Sequence, residues 1–171
     1  IKIELIKLNK NHINDFKNIN NITKKELENP DFFIGFFSDE EISEILNQKE
    51  NFEDTIFYGF FKDEKLLSIS GLFFDVYDFK DELNKLNIVP KYCAEIGASM
   101  TLRSARGQKC MLNLNKRLLA LAKEKNIKYI IATAHPKNIA SNKSLQNLNM
   151  KFIKEIIRSN YPRNLYILEL S

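Results

Sequence analysis

Cysteine is scarce in this chain of 171 residues: Cys93 and Cys110 are the only two and form no framework spacing. That excludes a disulfide-stapled scaffold and leads us to expect a reduced, cytoplasmic setting. No apolar run approaches the roughly 20 residues that cross a bilayer, and no charged stretch followed by an apolar one opens the chain. Neither a membrane span nor a secretory leader is expected. Opening on Ile1, the numbered sequence is expected to lack its initiator Met. Charge of one sign is missing as well: 26 Lys and Arg face 22 Asp and Glu, and the net charge of +4 is spread among intermingled acids and bases. Such a balance argues against a nucleic-acid partner. No metal-ligand spacing occurs, and there are no repeats, linkers or low-complexity segments, only a bias toward Asn, Lys and Ile.

What is present is enough apolar material, 44% of the residues, for one well-packed core, so residues 1–171 are expected to form a single domain. Alternation over residues 1–9 predicts a strand. Ser38 ahead of DEEISEIL predicts a capped helix with acids at its positive end. Before it lies an aromatic loop containing Phe32, Phe33, Phe36 and Phe37. TIFYGFF and LLSISGLFF, separated by Lys62 to Lys65, predict a hairpin over 54–77. A short helix is expected from Asp81 to Leu86. Strict alternation over 92–102 would put Glu95 on the same face as Thr101.

Residues 108–125 carry Met111, Leu114, Leu118, Leu121 and Ala122 at helical spacing. The apolar IKYIIATA that follows reads as a strand buried on both faces after a parallel crossover. Asn138 then caps a helix ending near Leu148, with Asn149 where a left-handed terminating residue is wanted. FIKEIIR and LYILEL supply the last two strands.

Between the strand at 92–102 and the next helix, Arg103, Arg106 and Lys109 form a local basic cluster beside a helix N-terminus, which suits an anion. Cys110, at the same helix start, reads as a small packed hydrophobe or as a thiol of lowered pKa.

The order of strand, Arg106-Gly107-Gln108-Lys109-Cys110-Met111, amphipathic helix, buried strand, and His135 to Met150 resembles the GNAT superfamily of N-acetyltransferases. The overlap runs from Ala94 to Met150. The resemblance implies an α/β fold, the GNAT-like acyl-CoA N-acyltransferase fold. Its centre is a mixed, mostly antiparallel sheet of about six or seven strands with helices on both faces. It implies acetyl-CoA as co-substrate, with the pyrophosphate held by backbone N–H groups of Arg106, Gly107, Gln108, Lys109, Cys110 and Met111. Met100, Thr101 and Leu102 would line the acetyl and pantetheine arm, and Asn138, Ser141 and Ser144 the second cofactor segment. Lys109 and Met111 stand where the family carries glycines, Leu145 where it often carries a Tyr acid, and Asn149-Met150 where it carries Gly-Phe.

The implied reaction is direct attack of an amine on the thioester in a ternary complex. An alkyl ammonium of pKa about 10.4 is neutral in about one molecule in 2,500 at pH 7, so a base relieves a cost of roughly 4.6 kcal/mol. Glu95, acting through water, and His135 are the two candidates. Alignment of amine and thioester can supply about 7–11 kcal/mol against about 3–5 for a general acid, so loss of the Tyr should slow the reaction without abolishing it. Phe32, Phe33, Phe36 and Phe37 are core or an apolar edge of the acceptor site. Small-molecule and peptide amines both fit as acceptor, and many family members form homodimers. The competing reading is a non-catalytic GNAT-like protein that binds CoA or plays a regulatory part.

Overall fold

Apart from Lys62 and Lys65 beside the turn, the residues of β2 (Ile56–Lys62) and β3 (Lys65–Phe73) are aromatic, branched or small and are buried almost end to end. Strands of that kind belong in the middle of a sheet covered on both faces. The computed structural model, which describes residues 1–49, 52 and 54–171, places them there. The other strands are β1 (Ile3–Lys7), β4 (Cys93–Thr101), β5 (Tyr129–Ala134), β6 (Lys151–Arg158) and β7 (Tyr161–Glu169). The helices are α1 (Ile13–Glu26), α2 (Asp39–Leu46), α3 (Lys80–Lys85), α4 (Cys110–Glu124) and α5 (Ile139–Asn147). Strand order is β1-β2-β3-β4-β5-β7-β6, with every pairing antiparallel except β4 with β5. The mixed, mostly antiparallel sheet expected from the sequence is the one observed. No helix among the described residues is long and apolar enough to cross a membrane.

Local chemistry sets the connections. Asp63 and Glu64 both take positive φ, which lets two residues close the β2–β3 hairpin with the right twist. Ser38 Oγ accepts from the Glu41 N–H while Glu41 Oε1 accepts from the Ser38 N–H, a reciprocal cap at 3.1 and 3.0 Å that starts α2.

Helices lie on both faces, as pairing and side-chain contacts together show. Phe57 pairs with Gly71 and Tyr58 with Ser70, so Phe57 and Ser70 point to opposite sides. The ring of Phe57 stands 4.9 Å from Phe16 of α1, whereas Ser70 Oγ donates to Asn115 Oδ1 of α4 at 2.7 Å. Gly71 is required beneath the aromatic layer: a Cβ there would come within 2.7 Å of the Phe57 ring.

β4 departs from strict alternation. Gly97 pairs with Gly71 and Met100 with Ile69, so β4 holds one residue more than β3 over this stretch. Ala98 absorbs it at φ 51°. A bulge flips every later side chain to the other face. Thr101 therefore lies opposite Ser68 on the α4 side, while Glu95 lies opposite Phe73 on the α1 side. The shared face expected for Glu95 and Thr101 is corrected by this extra residue.

Candidate functional site

The parallel pairing of β4 with β5 stops after Glu95 and Ile131, although β4 runs on to Thr101 and β5 to Ala134. The two strands thus open a crevice toward their carboxyl ends. Both following helices, α4 and α5, start at that end, which is where ligands of open α/β sheets lodge. Leu102 N–H donates to Leu67 O at 2.9 Å, and bonded pairs alternate in an antiparallel ladder. The N–H and C=O of Thr101 therefore face away from β3, into the crevice. Its hydroxyl lies 2.7 Å from Ser68 Oγ. Met100 is buried, and its carbonyl takes the Ser68 hydroxyl at 2.9 Å.

A turn of helix at Arg103–Ala105 leads to Arg106, to Gly107 at φ 80° and to Lys109 at φ 60°. Lys109 thus adopts, without being glycine, the left-handed conformation that glycine takes most easily. It precedes α4 and offers no side-chain cap, and the N–H groups of Cys110, Met111 and Leu112 find no acceptor among the described residues. Orphan donors at a positive helix end are chemically suited to an anion. Arg106, Gln108 and Lys109 are exposed around this end, and Gln108 Nε2 donates to Ser104 O at 3.2 Å. Arg103 is turned elsewhere, its Nε 3.2 Å from Glu26 Oε2 at the end of α1. Cys110 is buried with Sγ toward Ala105 O, and burial pushes its thiol pKa up.

At the start of α5, Asn138 Oδ1 accepts from the Ser141 N–H at 3.2 Å, a helix cap. Ser141 and Ser144 are half-buried, and Leu145 is buried. Asn142, which sequence reading passed over, holds this end together. Its amide donates to the carbonyls of His135 and Asn138, and its oxygen accepts from Tyr166 Oη at 2.7 Å and from Asn164 Nδ2 at 3.0 Å.

On the α1 side of the sheet, Glu95 is bound by both terminal nitrogens of Arg158, at 2.7 and 3.2 Å. Burial pushes the Glu95 carboxyl above the usual carboxylate range, and Arg158 opposes that without cancelling it. A Cβ built on Gly97 would stand 3.4 Å from Glu95 Oε2, so the carboxylate leans along β4 toward the open crevice. Arg158 also lines a cleft of about 230 Å³ with Asp78, Phe79, Glu82 and Ile156.

His135 is buried at the exit of β5, its ring 5.0 Å from Phe32. Its Nδ1 accepts the Lys137 N–H at 3.1 Å. That hydrogen bond assigns the proton of a neutral ring to Nε2, so His135 presents a donor rather than a lone pair. Glu95 and His135 are separate features of one face, each with its own partner. Arg158 and Asn142 have no signal in the local pattern, because each acts on a residue distant in sequence or on a neighbouring strand.

No family model matches the sequence, and a search of curated proteins finds no match. Solved structures do match. An N-acetyltransferase from Staphylococcus aureus Mu50 superposes with a TM-score of 0.76 over 100% of both chains at 17% identity. The protein yncA from Salmonella typhimurium, solved with its cofactor acetyl-CoA, gives 0.75 at 11% identity, over 99% of this chain and 94% of its own. The ribosomal-protein-S18-alanine N-acetyltransferase of Escherichia coli gives 0.70 at 8% identity, over 99% and 95%. Identity this low carries the architecture alone. The chain has the fold of the GNAT N-acetyltransferases, and the resemblance read from Ala94 to Met150 extends to the whole described chain.

Proposed function

We propose that the protein is an acetyl-CoA-dependent N-acetyltransferase that passes an acetyl group to an amine by direct attack in a ternary complex. One observation carries the reading. The crevice between the unpaired ends of β4 and β5 opens beside the unshared N–H groups of Cys110, Met111 and Leu112. Peptide N–H groups at a helix start suit a pyrophosphate, and an unpaired strand edge suits an amide-bearing arm. The residues present fit such a cofactor: Lys109 reaches the left-handed conformation that the family's glycine would supply, and adds a charge.

The thioester supplies an already activated acyl group. Arg106, Gly107, Gln108 and Lys109, with the first turn of α4, bind its pyrophosphate; Met100, Thr101 and Leu102 border the arm. Asn138, Ser141 and Ser144 fix the second wall through the start of α5. Glu95 is the stronger of the two base candidates, because burial raises its proton affinity while Arg158, which only partly opposes that rise, orients it. It takes the amine proton through water. His135 directs a donor by its Nε2–H and serves orientation. Leu145 offers no proton to the departing thiolate, so solvent does.

A second reading, a CoA-binding protein without turnover, draws on Leu145 and on the closed Glu95–Arg158 pair. Calorimetry with acetyl-CoA, on the wild type and Arg106→Ala, followed by thiol release with a panel of amines, separates the outcomes. We expect binding weakened by the substitution, and turnover with at least one amine. Binding without turnover on any amine would favour the second reading, and no binding at all would overturn both.

A further inference from the structure

We propose that Arg163 recognises a carboxylate carried by the acceptor, so that the substrate is a small amine bearing its own acid group. This rests on the acetyltransferase reading of the same crevice. Arg163 is 3% exposed, yet no carboxylate lies within ion-pair distance of it among the described residues. Its guanidinium donates to two neutral acceptors, Pro162 O and Asp31 O, each at 2.8 Å. Five N–H donors are available in a guanidinium, so most remain for a ligand. Nε donates to no described residue.

Among the described residues, the only buried acid on this face, Glu95, is already taken by Arg158. Arg158 is close enough to help hold the Arg163 pKa down, after burial, which is the larger cause. Against these stands, among the described residues, only the charge of Asp31, beyond ion-pair distance, with that of Tyr161, so Arg163 is a buried cation without a paired anion, which is costly. A compact oxyanion corrects the imbalance, whereas an acceptor with a second positive charge, such as a polyamine, worsens it.

The position fits an acceptor. Ala134 pairs with Asn164, so one further step in register sets Arg163 opposite His135, on the same face, at the carboxyl end of β5. Consecutive residues of the loop between α1 and α2 cover both: Asp31 O lies on Arg163, and the Phe32 ring on His135. A carboxylate that displaces the Asp31 carbonyl meets the planar fork in the bidentate geometry arginine favours.

The test uses matched pairs, an amino acid and its carboxamide, as acceptors for the wild type, Arg163→Gln and Arg163→Lys. We expect the wild type to favour the acid in kcat/KM by about ten- to a hundredfold, the value of a charge-assisted hydrogen-bonded pair. Arg163→Gln should erase the preference mainly through KM and leave acetyl-CoA binding unchanged; Arg163→Lys should keep part of it. A wild type indifferent to the acid group, or an Arg163→Gln variant that loses both acceptors alike, would overturn the assignment. Calorimetry of the acid and its carboxamide without turnover reads the anion site by itself. If the acid binds there through Arg163 but no amine is acetylated, the acetyltransferase reading fails and the anion site stands. If Arg163→Gln does not fold, the comparison rests on Arg163→Lys, where an undiminished preference would overturn the proposal.

Discussion

Arg158 grips Glu95 through both terminal nitrogens, at 2.7 and 3.2 Å, while its guanidinium lies 4.6 Å from the Phe79 ring centre and 4.0 Å from Asp78 Oδ2. The pair is buried on the carboxylate side, and burial outweighs the arginine in setting Glu95's proton affinity. The carboxylate is therefore held in place by one interaction and made more basic by another, a combination that suits a positioned base.

The first prediction concerns pH. With its folded pKa raised, Glu95 keeps its proton in the native state over a window where the unfolded chain has lost it. The native state then binds more protons, so stability falls as pH rises through that window, from the ordinary carboxylate value toward the native one. In Glu95→Gln this contribution is absent. Urea unfolding from about pH 4 to about pH 7 should show the wild type losing stability relative to the variant as pH rises. A constant difference would remove Glu95 as the titrating group.

The two thiols should be silent in the folded protein. Cys93 is pushed up to about 12, chiefly by burial and further by the Glu95 charge, and Cys110 is raised by burial. At pH 8 a thiol of pKa 12 is thiolate in about one molecule in ten thousand, so attack on a disulfide reagent is slow. Ellman's reagent should titrate both cysteines in denaturant and neither on the same timescale without it. Rapid native labelling at Cys110 would revive the sequence-based alternative of an activated thiol at a helix start.

Asn142 should matter more than the helix cap that announces α5. Truncation to Ala leaves Tyr166 Oη and Asn164 Nδ2 without their shared acceptor and frees the carbonyls of His135 and Asn138. We expect a loss of about 1–3 kcal/mol, against about 1 for Tyr166→Phe, which removes a single donor. Denaturant melts of both variants make the comparison, and equal losses would deny Asn142 its bridging part.

Features settled by neighbours in the chain were legible beforehand. Ser38 and Glu41 are three residues apart, Asn149 terminates α5 at φ 65°, and the apolar runs of β2, β3 and β5 lie where buried strands must. Features settled by a partner strand were not. Nothing within YCAEIGASMTL marks Ala98 as the extra residue, because a bulge exists only relative to the register of β3. Glu95 was visible as an acid on a strand, but its partner lies 63 residues away, and Arg163 reaches a carbonyl 132 residues distant. His135 was visible as a titratable group, whereas its tautomer depends on the turn that brings the Lys137 N–H to Nδ1.

Lys109 offers the sharpest separation of strain from charge. A side chain at φ 60° carries a cost of about 1 kcal/mol or more that glycine does not, and the N–H groups of α4 keep their direction whichever residue stands there. Lys109→Gly should therefore raise stability by up to about 1 kcal/mol, after the added unfolded-state freedom of glycine is subtracted. Lys109→Ala keeps the strain and should gain nothing. Both lose the same cation near the helix start, so both should weaken acetyl-CoA binding by a similar factor of about two to five. Thermal melts and calorimetry on the two variants read these effects apart. A glycine variant that melts higher yet binds as tightly as the wild type would show that the first turn of α4 supplies the anion site without help from the lysine. If both variants bind more weakly while only glycine stabilises, the lysine is retained in spite of its backbone strain because its charge serves the ligand.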